Sequence, residues 1–134
     1  MDLIKSLNDA VFPTDALFID DKTVGWVAYN KKGEAAAFAT ARDIGDHILF
    51  MDRGGVLKEH RKHGLHSRLI KVRELYARQN GFKEIITYTM KDNIMSTVTL
   101  VKCGFQLYTP YYQWVGKAWE SIYYFCKDVK RKLK

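Results

Sequence analysis

The spacing of apolar residues changes several times along the chain, and each change marks an element. Leu3, Ile4, Leu7 and Val11 recur at helical spacing until Phe12-Pro13 interrupts them, which predicts a short first helix. Residues 16–19 (Ala-Leu-Phe-Ile) read as a strand. Residues 24–29 and 34–41 are apolar or small-residue runs joined by Asn30-Lys31-Lys32-Gly33, a linker of hairpin length, and should pair antiparallel. The run 47–52 predicts a central strand that Gly54-Gly55 bends or bulges before Val56-Leu57.

Next, Leu65, Leu69, Val72 and Tyr76 fall at i, i+4, i+7 and i+11, with Arg68, Lys71, Arg73, Glu74 and Arg78 on polar faces. The pattern predicts an amphipathic helix stopped by Asn80-Gly81. Residues 85–90 read as a strand. Asp92 or Asn93 caps another helix, whose Ile94, Val98 and Val101 line one face until Gly104. The aromatic-rich runs 105–114 and 118–126 flank Val115-Gly116-Lys117 and predict a terminal hairpin. This order of elements predicts an α/β (α+β) fold, a mixed sheet with helices packed against it.

The 134 residues suit one domain, with a basic tail over about 127–134. Hydrophobic residues at 47% argue against disorder, and no apolar run approaches the ~20 residues that cross a bilayer. The first residues, Met1-Asp2-Leu3-Ile4-Lys5, lack the pattern of a secretory signal, so a cytoplasmic location is expected. Two cysteines, Cys103 and Cys126, indicate neither a disulfide framework nor a cysteine metal cluster. The net charge of +7 favours anionic partners without choosing among phosphates, acidic proteins and nucleic acid.

The chemistry is most legible at 56–70, Val-Leu-Lys-Glu-His-Arg-Lys-His-Gly-Leu-His-Ser-Arg-Leu-Ile. An apolar strand runs through a basic, glycine-bearing turn straight into a helix. Arg61, Lys62, His63, Gly64, Leu65 and His66 would present main-chain N–H groups at a helix start, where donors lack intrahelical partners and the dipole is positive. Gly64 lets an oxygen approach the backbone, and Arg61 and Lys62 add charge. An ordinary strand-to-helix loop with a solvated basic edge would read the same way if nothing else agreed with it. His60, His63 and His66 form H-x2-H-x2-H, but without neighbouring cysteine or an assured carboxylate they read as phosphate-side or solvent histidines, and no metal is expected.

This turn resembles the acetyl-CoA-binding motif of the GNAT acyltransferase superfamily: Arg or Gln, two residues, Gly, one residue, then Gly or Ala. Here it reads Arg61, Lys62-His63, Gly64, Leu65, His66, with Val56 five residues upstream where the family has a strand residue beside the pantetheine arm. A second stretch, residues 93–105, resembles the family's Asn, small residue, Tyr, Lys, Gly-Phe pattern. The resemblance runs from about Thr23 to the C-terminus.

It implies a mixed, mostly antiparallel central sheet with helices on both faces and a splayed parallel strand pair, here 50–57 and 85–90, that clasps the pantetheine. It also implies direct transfer of acetyl from acetyl-CoA to an amine in a ternary complex, without a metal. Val56 and Leu57 would supply a backbone donor, Lys62 to His66 would hold the pyrophosphate, and Asn93 and Ser96 would contact the pantetheine. Asn93 is also a plain helix cap. Two positions depart from the family. Leu100 stands where a Tyr usually protonates the leaving thiolate, leaving Tyr108, Tyr111 or Tyr112 as substitutes, and His66 stands where Gly or Ala is usual.

Asp52, on the strand leading to the cleft, is the candidate general base, with Tyr108 the other catalytic candidate. The acceptor is an unidentified small-molecule or protein amine, with Trp26, Tyr108, Tyr111, Tyr112 and Trp114 available to line its site. The protein would be a monomer or homodimer. Two other functions compete: an acetyl-CoA-binding or structural protein of the same fold with weak or no catalysis, as Leu100 permits, and a basic nucleic-acid-binding protein whose affinity would be salt-sensitive.

Overall fold

The computed structural model describes residues 1–110 and 121–129. Helix α1 (Asp2–Val11) leads through a loop to β1 (Thr23–Tyr29) and β2 (Ala35–Asp43), then β3 (Ile48–Val56), one 3-10 turn (Lys58–His60) and α2 (Leu65–Gln79). Strand β4 (Glu84–Met90), α3 (Ile94–Lys102), β5 (Gln106–Leu107) and β6 (Ile122–Asp128) follow. The sheet order is β1-β2-β3-β4-β6-β5. Its neighbours are antiparallel except β3 and β4.

The sheet is covered on both faces. Ile4 and Leu7 of α1 bury against Phe38 of β2, with Val27 and Leu57 packed around them. On the opposite face, Leu69 of α2 meets Ala37 and Ala39. Ile70 and Ala77 of α2 and Leu100 of α3 join Leu49, Met51, Ile85 and Phe125 in the main core. Small residues on β2 let α2 come close, and Phe38, pointing the other way, fills the space under α1.

Strands β3 and β4 position the site. They pair only at Ile48↔Glu84, Leu49↔Ile85 and Phe50↔Ile86. Beyond that point they separate, and Thr87 Oγ1 closes the fork by donating to Met51 O at 2.9 Å. Across β3, Ala39 pairs with Gly54 and Ala41 with Met51, so Asp52 and Arg53 together face Thr40 in a bulge. Thr40 Oγ1 accepts from Arg53 N at 3.2 Å, satisfying a donor that the interrupted ladder leaves free.

The local reading needs correction in four places. Residues 16–19 form no strand but belong to the loop between α1 and β1. The bulge lies at Asp52–Arg53 rather than at the glycines, which pair in register and serve close packing: a Cβ on Gly55 would stand 2.9 Å from Phe38 Cε1 and from Val11 Cγ1. On α2, Arg73 is buried and Val72 is 39% exposed, the reverse of the expected faces. On α3, Ile94, Val98 and Val101 are exposed, and Leu100 turns inward instead. Antiparallel pairing of β5 and β6 agrees with a terminal hairpin, whose expected turn at 115–117 lies outside the described residues. Among the described residues, no helix is long and apolar enough to cross a membrane.

Candidate active site

The separation of β3 from β4 opens a cleft of about 190 Å³ through the sheet. From the α2/α3 face, His66, Ile70, Arg73, Asn93, Ser96 and Leu100 line it. Met51, Asp52, Gly54, Thr87, Thr89 and Met90 form its strand walls, and Phe12, Asp15, Arg53 and Tyr88 also border it. A larger hollow, about 530 Å³, lies where β3 and β4 begin, around Lys83, Glu84 and Cys126, away from the strand fork and from both helix starts.

At one mouth of the cleft lies His66, on the first turn of α2 next to the basic turn. Gly64 caps α2 in the left-handed region (φ 74, ψ 12), and Lys62 is also left-handed (φ 68). Such reversals gather successive amides on one side of the chain. The first bond of α2 runs from Arg68 N to Gly64 O at 3.1 Å. Among the described residues, nothing accepts from the main-chain N–H groups of Lys62, His63, Gly64, Leu65, His66 or Ser67. The first turn of α2 holds no acidic side chain, so the helix dipole and these donors together favour an anion. Arg61 Nε donates to Val56 O at 3.1 Å, tying the turn back to the end of β3. A Cβ on Gly64 would meet nothing within 4 Å, so approach to this backbone is open. These features fit a diphosphate.

The strand edge continues the path. Leu57 N donates to Ala36 O, and Arg53 N faces Thr40, both toward β2. Strand N–H groups alternate in direction, so those of Gly54 and Val56 face the open side that β4 has left. Val56 and Leu57 side chains themselves pack against sheet clusters outside the cleft lining. At the other mouth Asn93 Oδ1 accepts from Ser96 N at 3.2 Å as the cap of α3, and both residues border the cleft.

His66 turns inward, and its buried Nε2 has no partner among the described residues. Burial, then the nearby Arg73 charge, pushes its pKa down, so the ring is neutral at pH 7. Asp52 lies on the bulge 3.7 Å from Arg42 Nη1. Burial raises its pKa above the usual carboxylate value, against the opposing pull of Arg42, Arg53 and Arg73. Tyr88 stacks on Phe50 with ring centroids 6.4 Å apart, and burial, then Asp52, keeps its phenol protonated. Arg53 donates to Asn8 Oδ1 at 2.9 Å and Asp15 O at 2.7 Å, anchoring the loop after α1 to the bulge.

Other expected site residues fall elsewhere. Tyr108 donates its N–H to Tyr124 O and lies beside Thr109 and Leu107, on the far side of β6 from the cleft. Trp26 packs edge-on against Tyr76 at 5.3 Å, on the α2 side of the sheet. Tyr111, Tyr112 and Trp114 lie outside the described residues. The pattern missed Arg73, Arg53, Asp15 and Tyr88. The i, i+7 relation of His66 to Arg73 was the available signal for one of them. Among the described residues, no group of three or more His, Cys, Asp or Glu is placed to hold a metal.

The family model described as the acetyltransferase (GNAT) family matches residues 4–105. No curated protein sequence matches the chain. Solved structures match it in fold. The ribosomal-protein-S18-alanine N-acetyltransferase of Escherichia coli superposes with TM-score 0.77 at 11% identity, over 99% of this chain and 90% of that one. A Bacillus subtilis acetyltransferase in complex with CoA gives 0.73 at 16% identity, covering 96% and 92%. A nourseothricin acetyltransferase gives 0.66 at 23%, covering 86% and 70%.

Proposed function

The chain belongs to the GNAT acetyltransferase family, and from that premise we propose that it is an N-acetyltransferase moving an acetyl group from acetyl-CoA to an amine. The observation that carries this reading is that His66, in the first turn of α2 where the main-chain amides are unpaired, lines the same cleft as Asp52. Acetyl-CoA supplies an activated acyl group. Lys62 to His66 would hold its pyrophosphate through main-chain N–H groups, with Arg61 bracing the turn. Gly54 and Val56 would pair with the pantetheine amides along the open strand edge, and Asn93 and Ser96 would border the arm from α3.

Asp52 is the proton acceptor. Its raised pKa makes it a better base than an exposed carboxylate, and its place on the bulge aims it at the cleft. Asp15 and Asp52 border the cleft together with Arg53 and Arg73, and each carboxylate is ion-paired, Asp15 with Arg53 and Asp52 with Arg42. Tyr88, rather than Tyr108, is the phenol within the cleft. Free cysteines accord with a cytoplasmic setting.

Leu100, buried at 4% exposure in the cleft, favours one second reading: a cofactor-binding relative without turnover. A thermal-shift titration with acetyl-CoA and CoA, followed by assay of CoA release over an amine panel, separates the two. Stabilisation by both ligands with CoA release supports the transferase. Stabilisation without release from any amine supports the binding protein, and no stabilisation removes both.

A further inference from the structure

Arg73 is a buried cation that no carboxylate neutralises at short range. Only 3% of its surface is exposed. Its Nε donates to Leu69 O at 3.1 Å, and Nη1 donates to Thr40 O at 3.2 Å and Arg53 O at 3.4 Å. The ion pairs among the described residues join Arg42 to Asp52, Arg53 to Asp15, and Arg78 and Lys127 to Glu74, none involving Arg73. Its Nη2 has no acceptor among the described residues and lies behind Gly54, where a Cβ would stand 3.3 Å from it.

Burying a charge on neutral carbonyls is costly, and an apolar side chain of similar length would join α2 to the sheet without that cost. Pinning the bulge therefore does not by itself account for the guanidinium. Its position does, because Arg73 lines the same cleft as Asp52 and Gly54. The charged and titratable groups facing it there are His66 from α2, Asp52 and Arg53 from β3, Tyr88 from β4 and Asp15 from the loop after α1. Asp52 is itself shared with Arg42 of β2, and α3 contributes only Asn93, Ser96 and Leu100.

We propose that Arg73 is the fixed cation of the cleft, stabilising the negative charge that passes from the acyl oxygen to the CoA sulfur. The proposal rests on the acetyltransferase reading. The amine nitrogen attacks the acyl carbon, and the carbonyl electron pair moves to oxygen. Asp52 takes the proton that the new C–N bond makes acidic. The oxygen pair then re-forms the carbonyl as the C–S bond breaks and its electrons leave on sulfur, which takes a proton from solvent while Asp52 returns its own. Leu100 has no proton to give, so the sulfur leaves as an anion and needs a positive neighbour. Burial, only partly offset by Asp52, lowers the guanidinium pKa to about 10, which leaves it charged at neutral pH.

The test needs no acceptor. Calorimetry first measures CoA and desulfo-CoA binding to the wild-type protein. The thiol of bound CoA is then titrated by thiolate absorbance, with the desulfo-CoA complex as blank. The expected result is a thiolate fraction at least about tenfold above that of free CoA at the same subneutral pH, equivalent to one pKa unit. Arg73→Lys should keep most of this shift. Arg73→Met should lose it while still binding desulfo-CoA, and if that variant does not fold, the wild-type and Arg73→Lys titrations decide. A bound thiol that ionises like free CoA, or an unchanged shift in Arg73→Met, overturns the role of Arg73 and leaves the cofactor reading standing. No heat with either ligand overturns the reading itself.

Discussion

At the scale of single residues, the base proposed for the transfer, Asp52, is set by how burial and neighbouring charges balance. Burial raises its pKa, and Arg42, the nearest partner at 3.7 Å, pulls it down. The free enzyme's kcat/KM should therefore fall on acidification with an acid limb above the ordinary carboxylate range. Asp52→Asn should lower kcat by about a hundredfold or more and remove that limb. Arg42→Gln removes a charge that favours the carboxylate, so the limb should move to higher pH, and a shift to lower pH would sink the assignment. The position of Asp52 beside the cleft was legible because it ends an apolar run just before a glycine pair. Arg73 was not, because arginine on an amphipathic helix ordinarily faces water and only three-dimensional proximity to the bulge draws it inward. Tyr88 was hidden for a related reason: alternation along β4 says which residues share a face, but not which face looks into the fork.

At the scale of elements, the turn before α2 and the end of β3 rest on glycine for different reasons. Gly64 has φ 74 with open space around a hypothetical Cβ, so Gly64→Val costs about 1–2 kcal/mol in backbone conformation rather than in packing. Either the cap distorts or the strain remains, and CoA affinity measured by calorimetry should drop about tenfold or more, as the amides lose their common aim. Gly55 has the opposite problem. Its Cβ would stand 2.9 Å from Phe38 Cε1, 2.9 Å from Val11 Cγ1 and 3.0 Å from Phe12 Cε2, so Gly55→Ala should destabilise by about 1–3 kcal/mol in denaturant titration. Both glycines could be flagged from sequence, but their separate reasons could not. Helix α3 shows the same limit. Its apolar residues suggested a buried Ile94, Val98 and Val101 stripe, whereas the Asn93 cap and the 3.0 Å contact between Thr89 and Thr97 hydroxyls accompany a rotation that turns Leu100 inward. Periodicity locates a helix more securely than it phases one with two mixed faces.

For the whole molecule, two partly buried groups make stability depend on pH in separate windows. His66 has a folded pKa below 6.5, through burial and then Arg73, so the unfolded chain binds its proton more readily. Its neutral burial favours folding above pH 6.5 and loses ground as pH falls from 6.5 toward the depressed folded value. Glu74 acts lower on the scale. Burial pushes its carboxyl up, but hydrogen bonds from Lys127 at 2.7 Å and Arg78 at 2.9 Å outweigh that and leave its pKa below 4.5. Its contribution is present above 4.5 and fades as pH drops through the folded value. Lys127 also donates to Cys103 O at 2.7 Å, so this carboxylate ties α2 to β6 and to the end of α3. Thermal unfolding should show a first decline in melting temperature below about pH 6.5, smaller in His66→Gln, and a second below about pH 4.5, smaller in Glu74→Gln. Glu74→Gln should also melt lower at pH 7, because one ion-paired carboxylate across three elements is gone. A wild-type melting temperature that rises between pH 6.5 and 5 specifically because of His66, shown by loss of the rise in His66→Gln, would mean that the ring is charged in the cleft, and the anion-binding arrangement around Arg73 would need a different partner.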